Sequence, residues 1–164
     1  MTVRRADGRD AQAIFDLLAA AGRALAEEGF HNWATPYSVD RIRADIITRE
    51  VYVVEQNTAL VATYTVGPTA VHPYVPPPWS QPAARAAYLN RMAVAPALQG
   101  RGLGSLCLAD LARRVEQAGG GAIRCDVLAA NRRLHAFYER HEFVRCGTRT
   151  HSGWRFVCYE RIVP

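Results

Sequence analysis

The sequence predicts a mixed α/β fold, a central sheet flanked by helices. Three observations carry it. Strand-length runs rich in β-branched and apolar residues dominate the first and last thirds of the chain. Two segments with apolar residues at helical spacing follow the first strand, and a strand–helix–strand–helix unit fills the middle. This is not the strict alternation of a doubly wound sheet. With 164 residues the chain suits one domain spanning 1–164, large enough to bury a core without disulfide or metal staples.

Thr2–Arg5 reads as a short strand. Asp10–Glu28 is a helix with Ile14, Leu17, Leu18 and Leu25 on one face, and Gly29 is placed to end it. Phe30–Tyr37 is an aromatic loop, after which Ser38 can cap a helix to about Arg49, with Ile42 and Ile46 or Ile47 inward. Val51–Glu55 and Leu60–Val66, joined at Gln56-Asn57-Thr58, predict an antiparallel hairpin. The prolines of Gly67–Ala84 exclude regular structure there and leave an ordered loop. Ala87–Ala95 is a strand closed by Pro96, and the helix after it ends near Gln117, before Gly119-Gly120-Gly121. Ala122–Leu128 is a strand, Asn131–His141 a helix, and Phe143–Arg149 and Trp154–Ile162 a closing pair of strands.

Composition removes several classes of function. Hydrophobic residues make up 49% and charged residues 21%, ordinary for a globular protein. No apolar run approaches the roughly 20 residues of a membrane span, and the N-terminus lacks the apolar core of a secretory signal. Both point to the cytosol and away from a membrane partner. Cys107, Cys125, Cys146 and Cys158 lack C-x-x-C spacing, which argues against a zinc ribbon, and their apolar settings predict reduced core thiols. All 20 basic residues are arginine, so Schiff-base chemistry and a Walker-type phosphate loop are excluded. The net charge of +5 suits an anionic ligand. The arginines are scattered, however, and no aromatic-basic motif accompanies them, so nucleic acid is not an expected partner.

The strongest local signal is Gln99-Gly100-Arg101-Gly102-Leu103-Gly104, lying between a strand and a helix. Glycine lets a ligand approach the backbone closely, and the first amides of a helix, at the positive end of its dipole, attract anions. The spacing fails G-x-G-x-x-G by one position, and Asp126 lies within a strand rather than at the end of one, so a dinucleotide fold fits poorly. Q/R-x-x-G-x-G/A is matched at every defined position by Gln99, Gly102 and Gly104.

On these residues the chain resembles the GCN5-related N-acetyltransferase (GNAT) family. Tyr88-Leu89-Asn90-Arg91-Met92-Ala93-Val94-Ala95-Pro96 resembles that family's central strand, and Asn131 followed by Phe137-Tyr138-Glu139 and Glu142-Phe143 resembles its second motif. The resemblance implies a mixed, mostly antiparallel sheet with splayed central strands, and acetyl-CoA as co-substrate without a metal. It implies that the backbone of Met92, Ala93 and Val94 pairs with the pantetheine arm. The amides of Gly100, Arg101, Gly102, Leu103, Gly104 and Ser105 would surround the pyrophosphate, with Gln99 and Arg101 adding side-chain contacts. Asn131 would act as helix cap, cofactor contact or both, and Tyr138 as hydrogen-bond donor to the departing thiolate, unless it only fills core.

A general base is the missing part. Related enzymes place Glu or His where this chain has Tyr88 and Asn90. A water held by Asn90 suffices for an α-amine of pKa near 8, whose deprotonation at pH 7 costs about 1.4 kcal/mol, against about 4.6 for an alkyl amine. His31, Glu28 and His135 are further candidates. The implied reaction is direct attack of a small-molecule or peptide amine on acetyl-CoA in a ternary complex. The alternative is a non-catalytic acyl-CoA-binding or sensing module on the same fold. The acceptor pocket is expected to draw on Phe30–Tyr37, the proline-rich loop with Tyr74 and Trp79, and the turn near His151–Trp154; Trp33, Tyr37 and Trp79 are loop aromatics that could enclose the amine, cover the core or form a homodimer contact.

Overall fold

The structure, a computed structural model, describes every residue of the chain except Pro36, and that position of the expected aromatic loop lies outside the described residues. The chain forms two compact units, Met1–Val66 with Asn90–Asp110 and Gly67–Leu89 with Leu111–Pro164.

The first unit begins with β1 (Thr2–Arg5), which the sequence places correctly. A 3₁₀ turn that the periodicity does not predict, Gly8–Asp10, precedes α1 (Ala11–Glu27). Two carboxylates build it: the Asp7 side chain accepts from the Arg9 amide, and Asp10 accepts from the Asp7 amide, each at 2.9 Å. Arg4 of β1 holds Asp10 at 2.8 Å. Gly29, at φ +92°, ends α1 with the Phe30 amide turned back onto the Leu25 carbonyl. The Ser38 hydroxyl accepts from the Arg41 amide at 3.1 Å and so starts α2 (Val39–Thr48). Ile42 points inward, Ile46 packs at the core margin, and Ile47 is exposed.

β2 (Glu50–Gln56) and β3 (Ala59–Gly67) form the expected hairpin. Asn57 and Thr58 both take positive φ, as a two-residue hairpin turn requires. β1 pairs antiparallel with β2. The core of this unit gathers Ile14, Leu18, Ile42, Val53 and Ala93, with Trp33 and Phe15 at its edge. Burying each large aliphatic side chain contributes about 1.5–3 kcal/mol.

Two elements belong to both units: β4 (Ala86–Val94) and α3 (Leu103–Gln117). The second unit otherwise contains β5 (Gly121–Leu128), α4 (Arg132–Arg140), β6 (Val144–His151) and β7 (Trp154–Val163). β4 and β5 run parallel, in register from Ala86↔Ala122 to Tyr88↔Arg124. β5–β7 and β6–β7 are antiparallel. The strand order β1-β2-β3-β4-β5-β7-β6 makes a mixed, mostly antiparallel seven-stranded sheet, flanked by the four helices.

The second unit is pinned by an ion pair that sequence periodicity does not reveal. Arg124 on β5 meets Glu160 on β7 at 2.9 Å, and both side chains are buried. The same guanidinium donates to the Tyr88 hydroxyl at 3.0 Å and to the Gln81 carbonyl at 2.7 Å, and lies 4.9 Å from the Trp79 ring centre. Trp79 is therefore part of the core beneath the proline-rich loop, and it stacks on no open surface. No described helix is long and apolar enough to cross a membrane.

Candidate active site

In the first unit, β4 leads into the glycine loop. The Ala95 amide donates to the Val61 carbonyl at 2.9 Å, and Pro96–Leu98 then forms a 3₁₀ turn. Gly100 and Gly102 follow at φ +76° and +83°, a left-handed conformation that costs other residues about 1–2 kcal/mol. A Cβ built on either glycine would meet no atom within 4 Å, so the space over the backbone is open to a ligand. The Leu106 amide closes the first turn of α3 on the Gly102 carbonyl at 2.9 Å. Gly102 thus occupies the cap position and has no side chain with which to fill it. Leu103 is buried and anchors the turn, whereas Gln99 and Arg101 are exposed. The Gln99 side chain donates to the Val94 carbonyl at 3.5 Å.

On β4 itself, Met92 and Val94 are half-buried and Ala93 is buried. Asn90 is half-buried, and its Oδ1 is shielded from solvent without a hydrogen-bond partner among the described residues. A buried acceptor left unsatisfied costs about 1–3 kcal/mol, which an incoming donor would recover. Arg91, next to it, is not the regular strand residue its sequence suggests. Its φ is +49°, its guanidinium forms a buried ion pair with Asp45 of α2, and the Tyr37 ring lies 4.2 Å from it. These contacts hold a conformation that alone would be unfavourable.

In the second unit, Asn131 is buried and caps α4: its Oδ1 accepts from the Leu134 amide at 3.1 Å. His135 is also buried. Its Nδ1 lies 2.8 Å from the Tyr159 hydroxyl and its Nε2 lies 3.0 Å from the Ala129 carbonyl, so both ring nitrogens are engaged. That removes it from the candidate bases. Tyr138, one turn on, is 6% exposed, packed edge-on to Phe143 and stacked on Tyr159. Its hydroxyl hydrogen-bonds with the Cys125 thiol. Burial pushes that thiol well above its ordinary value, Asp126 and Cys158 add to the rise, and the Tyr138 hydrogen bond opposes it.

The remaining candidates are placed without ambiguity. His31 and Glu28 are exposed beyond the end of α1. Cys107, Cys125 and Cys158 are buried and free, while Cys146 is only half-buried, so one of the four expected core thiols lies at the edge. Burial lifts Cys107 to about 12 and Cys158 to about 11, leaving neither as a thiolate at neutral pH. Among the described residues, no cluster of three or more His, Cys, Asp or Glu could hold a metal.

The fold agrees with what comparison with known proteins finds. The model of the acetyltransferase (GNAT) family matches residues 17–143, and the chain belongs to that family. A GNAT acetyltransferase from Listeria monocytogenes 4b F2365 matches with a TM-score of 0.80 at 25% identity, over 98% of this chain and 94% of that one. The ribosomal-protein-S18-alanine N-acetyltransferase from Escherichia coli matches at 0.75 and 20% identity, over 99% and 93%. The ribosomal-protein-alanine N-acetyltransferase from Brucella melitensis gives 0.71 at 20% identity, over 99% of both chains. No curated protein matches the sequence.

Proposed function

We propose that the chain works as one acetyltransferase domain over 1–164, moving an acetyl group from acetyl-CoA to a primary amine of a small molecule or peptide. The observation that carries this is the open, left-handed pair Gly100 and Gly102 at the start of α3. The residues fit the donor: the backbone can approach a pyrophosphate without a Cβ in the way, and hydrogen bonds to a charged group contribute about 1.5–3 kcal/mol each. Gly100–Ser105 would hold that pyrophosphate, with Gln99 and Arg101 at its side, and Met92–Val94 would hydrogen-bond the pantetheine arm. When bound, acetyl-CoA supplies the thioester acyl group.

The chain's own residues then have limited tasks. Asn90 Oδ1, lacking a partner in the fold, accepts an N–H of the amine or of a water beside it. Tyr138 hydrogen-bonds the leaving sulfur as the amine nitrogen bonds the acyl carbon and the carbon–sulfur bond breaks; the proton lost by the nitrogen passes through water to the thiolate. A phenol near pKa 10 and a thiol near 8.5 differ by about 1.5 units, or about 2 kcal/mol, so stabilisation of the sulfur is favoured over complete proton transfer. Asn131 keeps α4, and with it Tyr138, in place.

Release of free thiol from acetyl-CoA, followed across a panel of amines, tests the reading. Amine-dependent release supports it. CoA binding without release from any amine would move the chain to the sensing-module alternative. A gain in thermal stability from CoA but not from NAD or ATP separates both from a general nucleotide binder; saturation at 100 times Kd adds about 2.7 kcal/mol.

A further inference from the structure

The second unit contains a cleft of about 610 Å³, within the range of small-ligand sites. Tyr74 and its neighbouring prolines form one wall. Arg149, His151 and Arg155, around the β6–β7 turn, form the other, and among the described residues no Asp or Glu lines it.

Its three basic side chains are used differently. Arg149 is occupied: it donates to Asp126 at 2.7 Å and to the His72 carbonyl at 3.0 Å, and sits 3.8 Å over the Tyr74 ring. It is the pin that joins the two walls. His151 stacks on His72 with ring centres 3.9 Å apart, and its Nε2 is 3.1 Å from the Ser152 hydroxyl. Arg155 is exposed and forms no ion pair among the described residues. The cleft therefore offers the Arg155 guanidinium beside the His151 imidazole, with no carboxylate among the described lining residues to compete for them. Such a concave site attracts an anion, and a guanidinium fork suits carboxylate or phosphate oxygens.

The cleft lies across β5 from the reaction chemistry proposed above. Asp126, which holds Arg149, directly follows Cys125, whose thiol meets the Tyr138 hydroxyl. Alternation along β5 puts these two side chains on opposite faces of one strand. We propose that this cleft holds the anionic group, carboxylate or phosphate, of the acceptor, with Arg155 as its main contact and His151 as a second donor. The acceptor is then an amine that also carries an acid group. This assignment rests on the acetyl-transfer reading for the amine, but not for the anion.

The experiment compares amino acids with their amides, and 2-aminoethyl phosphate with ethanolamine, as acceptors for wild-type protein and Arg155→Gln. The expected result is at least a tenfold preference in kcat/KM for the acid member of one pair, collapsing towards unity in the variant. Which pair shows it identifies the anion. Equal use of both members by wild-type protein, or a preference unchanged in Arg155→Gln, overturns the assignment. Should no amine release thiol, the acetyl-transfer reading fails and the cleft is judged by calorimetry with N-acetylated amino acids and 2-aminoethyl phosphate. Binding that Arg155→Gln weakens tenfold upholds the anion site, and no binding to wild-type protein removes it.

Discussion

Helices α3 and α4 begin in opposite ways. α4 fills its own N-terminus: Asn131 Oδ1 accepts from the Leu134 amide at 3.1 Å. α3 begins at a glycine that has no side chain to offer, in a left-handed turn with nothing within 4 Å of where a Cβ would be. Every helix start carries amides that need acceptors. A side chain met that need at Asn131, as it did at Ser38 and Asp7. Under the proposed function, the difference separates a helix that presents a side chain to the reaction from one whose terminus itself is the binding group.

The largest expected effect comes from closing the open start. Gly102→Val adds left-handed strain of about 1–2 kcal/mol and displaces a ligand from the backbone; acetyl-CoA affinity should fall on the order of 10² or more, measured by calorimetry. Unchanged affinity would break the comparison at its first term. Tyr138→Phe comes next. It should lower kcat by about tenfold to a hundredfold while acetyl-CoA binding stays within about twofold, because α4 contributes a hydrogen-bond donor and not an anion cradle.

Smaller again is Asn131→Ala, which removes a cap contributing about 1 kcal/mol; the melting temperature should drop by about 2–4 °C, and Asn131→Asp should recover most of it. A large loss of CoA affinity in Asn131→Ala, with stability intact, would instead make this residue a direct donor contact. The smallest effect separates charged from neutral caps. The side-chain and backbone hydrogen bonds from Arg9 hold Asp7 at about 2, below its ordinary 3.8. A depressed folded value means that its stabilisation is present above pH 3.8 and is lost as pH falls through about 2. Amide exchange should therefore rise first at Arg9 in acid, while the neutral Asn131 cap keeps Leu134 protected.

The sequence shows local features well and distant pairings poorly. Gly29, Ser38 and the Asn57-Thr58 turn each act within four residues, and each element they bound falls within a few residues of expectation. The conformation of the glycine loop was legible for the same reason, since it is set by its own glycines. The Arg124–Glu160 pair joins positions 36 apart, and Arg91–Asp45 joins positions 46 apart, so no periodicity announces either. The 3₁₀ turn at Gly8–Asp10 was hidden because its capping carboxylates precede the apolar pattern. The cleft follows the same rule: Tyr74, Arg149 and Arg155 meet only once β6 and β7 fold against the proline-rich loop. Its two walls were expected as regions, the proline-rich loop with Tyr74 and the turn near His151–Trp154, whereas Arg149 was not singled out.

The most direct test is a ¹H–¹⁵N NMR titration of the protein with CoA. The glycine-loop account predicts that the largest shifts fall on the amides of Gly100–Ser105, with Leu134 at the capped start of α4 little moved. Absence of binding, or shifts confined to the cleft around Arg149 and Arg155, would contradict it.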